Sequence, residues 1–151
     1  MSAVTESIEI HAAPTTVFDA VTKLENMGQF SPENTGGQWI KGADRAALGA
    51  RFKGTNRSGE QTWNTTATVV EFTAPHNFAF EVTFGPVKVA RWTYLIEETA
   101  NGSRVTESWV DRRNGVVRRM ARTPVTDRDS FTRDSLHETL TKLKAFLETA
   151  S

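Results

Sequence analysis

The chain has 151 residues, which is enough for one domain with a buried core. Its 18 basic and 18 acidic residues cancel, so no net charge attracts it to nucleic acid or to an anionic membrane surface. The absence of cysteine excludes disulfides, thiolate metal sites and cysteine nucleophiles, and it is consistent with a reducing cytoplasm.

The N-terminal region predicts a strand followed by short helices. Apolar residues alternate through residues 4–12, as in a half-buried strand. Pro14 stands where helices often begin, and the apolar spacing after it predicts an amphipathic helix to about Leu24, then a second short turn at residues 27–30. No segment resembles a signal peptide or a membrane span, so we expect a cytoplasmic protein. The buried side of the first strand is expected to carry Val4, Ile8 and Ile10.

The middle of the chain predicts an antiparallel sheet. Six further alternating segments are separated by turn sequences rich in Gly, Pro and Asn, and such turns join strands into hairpins. Consecutive hairpins form a meander. The predicted strands span residues 38–41, 50–57, 61–72, 78–84, 88–98 and 104–111.

The last predicted hairpin divides its side chains between two faces. A two-residue turn at Asn101-Gly102 would fix the register. One face is then aromatic and is expected to point inward with Glu107 on it, while the other face is mostly polar. Asp111, near the strand end, is expected to be solvated. The predicted cross-strand pairs are Ile96 with Glu107, Tyr94 with Trp109, and Trp92 with Asp111.

A long helix is predicted to close the chain over residues 127–149. Leu136, Leu140, Leu143 and Leu147 recur at helical spacing and form one apolar stripe. A single amphipathic helix does not fill the concave face of so long a sheet. We therefore expect an internal apolar cavity, the kind of space in which small ligands bind.

The order of these elements is the helix-grip arrangement. Several short segments follow one another along nearly the whole chain: IEI (8–10), AP and VF (13–18), GARFKG (49–54), W and ATV (63–69), WTY (92–94), VTESW (105–109), and DR, TL and LK (127–144). In this order they resemble the polyketide cyclase/dehydrase and lipid-transport family of the START-like SRPBCC superfamily, and the C-terminal segment looks like its actinobacterial members. The resemblance implies an α+β fold with a curved antiparallel sheet of about seven strands around the C-terminal helix, as one domain over residues 1–151. It also implies that members bind lipids, hormones or polyketides and that only some are enzymes.

The inner face offers a mostly aromatic lining with a few polar groups. Glu107 is the first candidate for chemistry, because a buried carboxyl must be paired, hydrogen-bonded or protonated, and a raised pKa suits acid–base catalysis. Tyr94 is the second. A structural ion pair or an exposed position is the alternative for Glu107, and a filled core is the alternative for the aromatic residues. The expected ligand-binding residues are Phe52, Asn56, Trp63, Phe78, Phe80, Val82, Phe84, Trp92, Tyr94, Trp109, Thr139, Leu140 and Leu143.

We predict no metal or cofactor. The three histidines have no second ligand at metal spacing, and neither a nucleotide-binding glycine pattern nor a serine-nucleophile elbow occurs. Residues 112–122 contain five arginines. This segment fits a basic turn that meets an anionic membrane or an acyl-carrier partner, a plain solvated loop, or a lid over the cavity mouth.

The sequence leaves three functions open and does not decide whether the chain is an enzyme. The first is binding or transport of an apolar small molecule such as a lipid, an isoprenoid or a polyketide. The second is a polyketide cyclase or dehydratase in which Glu107 acts as acid or base while Tyr94 or Asn56 orients a carbonyl. The third, by family analogy, is a toxin–antitoxin or stress-related component that acts through a protein partner. We expect a monomer or homodimer that binds no nucleic acid.

Overall fold

The computed structural model describes residues 3–30, 34–113 and 128–149. These residues form one seven-stranded antiparallel sheet with the strand order β1-β7-β6-β5-β4-β3-β2, two α-helices and a 3₁₀ helix. This is the predicted α+β helix-grip (START-like) architecture. The elements are β1 (Ala3–Ile10), α1 (Pro14–Val21), the 3₁₀ helix (Leu24–Gln29), β2 (Asn34–Ile40), β3 (Arg51–Ser58), β4 (Gln61–Thr73), β5 (Asn77–Phe84), β6 (Val87–Thr99), β7 (Gly102–Asp111) and α2 (Arg128–Thr149).

Strand β2 is longer than the sequence pattern predicted. It begins at Asn34 rather than near residue 38, because two glycines with positive φ, Gly36 and Gly37, let the chain pair with β3 through a shifted register. A Cβ on Gly37 would collide with the Lys53 carbonyl oxygen. Only glycine therefore allows this approach of β2 to β3.

The last hairpin turns one residue earlier than predicted. Thr99 pairs with Gly102, so the turn consists of Ala100 and Asn101, and the predicted pairs were wrong by two residues. Gly102 cannot serve as the turn residue because it pairs in β7 and its backbone lies tightly against Ile10 and the residues after it. Side chains two residues apart on a strand lie on the same face. An error of two residues in the pairing therefore leaves the predicted division into an inner and an outer face unchanged. The observed pairs are Trp92 with Trp109, Tyr94 with Glu107, and Ile96 with Val105.

The core lies between the concave face of the sheet and the helices. Helix α2 packs against β1 and β7, helix α1 against β6 and β7, and the 3₁₀ helix against β2. The leucine stripe of α2 is buried, as predicted. Phe18 of α1 meets Phe72 and Phe78 edge to face, with ring centroids 5.2 and 6.4 Å apart. Side chains of all three described helices therefore belong to the core on the concave face.

Two side chains of α2 bind the outer edge of β1. Lys144 Nζ donates a hydrogen bond of 2.9 Å to the Glu9 carbonyl oxygen, and the His11 N–H donates one of 2.9 Å to Glu148 Oε2. Lys144 also pairs with Glu148 at 2.6 Å. These bonds fix the position of α2 along β1. Within the described ranges, no helix is long and apolar enough to cross a membrane.

Candidate functional site

Glu107 on β7 and Tyr94 on β6 lie directly opposite each other on the inner face. Both residues are about 2% exposed. Tyr94 Oη donates a hydrogen bond of 2.6 Å to Glu107 Oε2 and lies 4.0 Å from Met27 Sδ. Glu107 Oε1 is buried and makes no hydrogen bond within the described part of the chain. The buried carboxyl group of Glu107 therefore accepts one hydrogen bond from a neutral donor, the Tyr94 hydroxyl.

The surroundings favour the protonated form of this carboxyl group. Burial raises the pKa of Glu107 to about 8, although the hydrogen bond from Tyr94 acts in the opposite direction. Burial, and then the charge of Glu107, raise the pKa of Tyr94 well above its usual range. In the protonated form, with Tyr94 donating to Oε2, the carboxyl proton would lie on Oε1, which has no hydrogen-bond partner among the described residues. Glu107 is therefore neither exposed nor, among the described residues, part of an ion pair.

The inner face is filled beside this pair on β5 and toward the β6–β7 turn. Phe78, Ile96 and Val105 are 0% exposed, so their side chains border no space that admits water. The Phe78 ring stacks on Tyr94 with centroids 6.4 Å apart and an interplanar angle of 22°. We call this region the closed end. Here the alternative of a filled aromatic core holds.

Further along β5 and β6 from the closed end, the side chains on the inner face are less deeply buried. Phe80 and Trp92 are direct cross-strand partners and are both half-buried. Val82 follows on β5, also half-buried, between the small side chains of Ala67 and Ala90. We call this region, with the half-buried Trp63 and Thr65 of β4, the open end. Trp92 packs at the border of a small apolar cluster that includes Leu136 of α2, and Phe80 packs at the border of the main core.

The structure distributes the other predicted ligand-binding residues between the core and the surface. Asn56 lies on the inner face of β3 opposite Trp63, and its Nδ2 donates a hydrogen bond of 3.0 Å to Thr65 Oγ1. Phe84 does not line the interior, because it is the last residue of β5 and is 55% exposed. The buried residues of the set are Phe52, Trp109, Thr139, Leu140 and Leu143.

The prediction that Asp111 is solvated was wrong. Asp111 is 2% exposed at the end of β7, because Arg113 folds back over it. Arg113 Nε and Nη2 each donate a hydrogen bond of 3.0 Å to the carboxylate, and the Arg113 backbone N–H donates a third. The arginine replaces the water that a carboxylate at a strand end would otherwise bind.

A family model for polyketide cyclase / dehydrase and lipid transport proteins matches residues 1–148. The chain belongs to this family. The resemblance read from the short sequence segments is therefore confirmed over nearly the whole chain. No curated protein sequence is significantly similar to it.

Solved structures share the fold of this family member at low sequence identity. TTHA0849 from Thermus thermophilus is 15% identical with a TM-score of 0.74, covering 99% of each chain. Ara h 8.0201 is 14% identical with a TM-score of 0.71, covering 98% of each chain. The di-domain ARO/CYC StfQ from the steffimycin biosynthetic pathway is 9% identical with a TM-score of 0.74, covering 98% of this chain and 51% of StfQ. These similarities establish the fold.

Sequence reasoning missed Glu6 as a neighbour of the candidate site. Glu6 on β1 is the direct cross-strand partner of Glu107, and it is half-buried. Cross-strand partners share a face, so Glu6 lies on the inner side together with Val4 and Ile8. The signal was present in the sequence, since Glu6 is the acidic residue that interrupts the alternating apolar positions of β1.

The remaining polar features do not form a second site. In the ranges that the structure describes, no three His, Asp or Glu side chains are grouped as they would be to hold a metal ion. Arg112 pairs with Glu81 at 3.6 Å, whereas residues 114–122 of the arginine-rich segment lie outside the described residues. An open polar depression of about 320 Å³ lies on the outer side of β2, β3 and β4, away from the predicted cavity, and is lined by Gly37, Gln38, Lys53, Thr55 and Asn64.

Proposed function

We propose that this protein binds an apolar small molecule, such as a lipid, an isoprenoid or a polyketide-like compound, in a cavity between the concave face of the sheet and α2. The observation that carries the proposal is the half-buried pair of Phe80 and Trp92, two large aromatic side chains on the inner face that remain partly exposed. Full burial of one large apolar side chain stabilises a fold by about 1.5–3 kcal/mol relative to exposure. A ligand that covers these rings would recover part of that free energy.

The shape of the open end supports a ligand rather than a gap in packing. The cross-strand neighbours of Val82 are Ala67 and Ala90, whose small side chains contribute little volume to this part of the inner face. Aromatic walls with few polar groups are typical of sites for small molecules. Family membership points to the same class of ligand.

The test is to fill the proposed cavity. We expect Val82→Phe to reduce binding of the neutral fluorophore N-phenyl-1-naphthylamine at least about tenfold, because the added ring occupies the space beside Phe80. Thr83→Phe is the matched control, since Thr83 is the next residue of β5 and faces the outer side. Saturable fluorescence of the wild type that both variants retain, or no binding by the wild type, would refute the proposal.

The natural ligand can be sought without choosing a probe. Native mass spectrometry of the purified protein, compared with a denatured and solvent-extracted sample, would reveal a bound mass of a few hundred daltons that denaturation releases. We expect Val82→Phe to purify without that mass, whereas Thr83→Phe should retain it.

A polyketide cyclase or dehydratase is the second candidate function, and the Glu107–Tyr94 pair favours it. A carboxyl group with a pKa of about 8 can give a proton to a carbonyl or hydroxyl oxygen near neutral pH, and the Tyr94 hydroxyl would stabilise the carboxylate that remains. Glu107→Gln should then fold normally but lose turnover of a polyketide substrate, while Glu9→Gln on the outer face should retain it. Full activity of Glu107→Gln would exclude this mechanism.

We infer that residues 1–151 act as one ligand-binding domain in the cytoplasm, alone or as a homodimer. The zero net charge and the absence of cysteine support this inference. Among the described residues, no feature favours a toxin–antitoxin or stress-related role that depends on a protein partner.

A further inference from the structure

The charged side chains on the inner face of the sheet are acidic. Glu6, Glu107 and Asp111 lie on this face, and within the described ranges only Asp111 forms an ion pair with a basic side chain, that of Arg113. The basic residues within the described strands lie at outer-face positions. These are Arg51, Lys53, Arg57, Lys88, Arg91 and Arg104.

Two of the acidic residues are side by side. Glu6 and Glu107 are direct partners in the β1–β7 pair, and the Cβ atoms of such partners lie about 4.5–5.5 Å apart. Glu107 Oε1 makes no hydrogen bond to any described residue, so it is not bonded to the Glu6 carboxyl group. The hydrogen-bonding capacity of the buried Oε1 is therefore not used by any described residue.

Tyr94 and Glu107 lie two residues along their strands from Trp92 and Trp109, next to the open end. Trp92 precedes Tyr94 by two residues on β6, and Trp109 follows Glu107 by two residues on β7, so each has its side chain on the same inner face. A ligand that lies along Trp92 would thus end beside Tyr94 and Glu107. The buried Oε1 is then the polar group nearest to that end of the ligand.

We propose that Glu6 and Glu107 select a neutral ligand whose hydroxyl or carbonyl oxygen reaches Glu107 Oε1, and that they reject ligands with a carboxylate, such as free fatty acids. The inference rests on the proposed binding function and adds the chemical class of the ligand. A neutral ligand oxygen would accept a hydrogen bond from the Glu107 O–H, which otherwise has no partner among the described residues. A carboxylate would also accept the Glu107 O–H, but its negative charge would be buried beside the acidic Glu6 with no basic side chain on that stretch of the described sheet, and burial of an unpaired charge is costly.

The experiment compares two ligands that differ only in the head group. Dodecan-1-ol and dodecanoate are each used to displace N-phenyl-1-naphthylamine from the wild-type protein at pH 7. We expect the alcohol to bind at least about tenfold more tightly, which is the effect of about 1.4 kcal/mol. Equal affinity, or tighter binding of dodecanoate, would overturn the selectivity while leaving the binding function intact. If neither the fluorophore nor the alcohol binds, both proposals fail.

Variants of β1 test which residue causes the selectivity. Glu6→Gln keeps the size of the half-buried side chain but removes its acidity, so we expect the preference for the alcohol to fall severalfold. Glu9→Gln is the matched control, because Glu9 lies on the outer face of the same strand, paired with Arg104 at 3.2 Å. Its preference should equal that of the wild type. An unchanged preference in Glu6→Gln, with circular dichroism showing both variants folded, would remove Glu6 from the proposal.

Discussion

The closed and open ends of the inner face are made of similar residues but differ in how they are covered. At the closed end, Phe78 is 0% exposed because Phe18 of α1 and Tyr94 pack on its ring. At the open end, Phe80 lies only two residues further along the same strand, yet it is half-buried. The comparison shows that the side chains packed against a strand, rather than its own composition, decide which aromatic residues become core and which remain half-buried.

Alanine substitutions on β5 should show the largest difference between the two ends. Phe78→Ala removes a ring from a filled core and should lower the free energy of unfolding by about 3–5 kcal/mol. Phe80→Ala should cost less than half as much, since water already reaches that ring. Urea titration of the two variants measures both values, and equal losses would show that the open end is as tightly packed as the closed end.

The pH dependence of stability tests the buried carboxyl group at the boundary between the ends. The pKa of Glu107 is about 8 in the folded protein and 4.5 in the absence of its folded surroundings. The contribution of this carboxyl group to the free energy of unfolding is therefore fully present below about pH 4.5 and is lost as the pH rises to about 8. Glu107→Gln stays neutral throughout. The variant should therefore gain stability relative to the wild type across this window, by about 4 kcal/mol at pH 8.

Chemical denaturation of both proteins at pH 4.5, 6 and 8 measures that gain. Because other acidic residues titrate equally in the two proteins, only the difference between them reports Glu107. A difference that does not change with pH would mean that Glu107 is ionised in the folded protein.

A buried ion pair beside the open end should contribute less than the closed core. Asp111→Asn leaves the Arg113 guanidinium, which is 13% exposed, without its charged partner. We expect a loss of about 2 kcal/mol in the free energy of unfolding. Asp44→Asn is the control, because the Asp44–Arg45 pair is almost fully exposed and should give no measurable change. Thermal unfolding of the two variants measures both effects. If neither substitution changes the unfolding temperature, Arg113 does not hold Asp111 in solution.

The outer face provides the smallest expected effect. Arg104→Gln removes an ion pair with Glu9 in which both side chains are more than half exposed. Such pairs contribute less than about 1 kcal/mol, and salt screens them. The same urea titration should therefore detect little change, and a loss as large as that of Asp111→Asn would contradict the assignment of the two faces.

The alternation of apolar residues was sufficient to predict the number of strands and the buried side of β1 and of the β6–β7 hairpin. The predicted faces held even though the Asn101-Gly102 turn was wrong, because an error of two residues returns every side chain to the same face. The true turn depends on the contact between Gly102 and the end of β1, which is distant in sequence and cannot be read from local patterns.

The candidate site was only partly predictable for the same reason. Glu107 and Tyr94 could be placed on one face from the hairpin alone. The proximity of Glu6 required the pairing of β1 with β7, which joins the start of the chain to the end of the sheet. Burial of Asp111 required a residue after the strand, Arg113, to fold back onto it.

The bonds between α2 and β1 also affect how this molecule meets its own copies. An unpaired outer strand is a template on which another chain can add a strand and begin to aggregate. Lys144 and Glu148 already occupy the Glu9 carbonyl and the His11 N–H, so an incoming strand finds these groups taken. At the opposite border of the sheet, the irregular glycine register of β2 breaks the even spacing that strand addition needs. The helix that packs across the sheet thus also protects its edge against self-association.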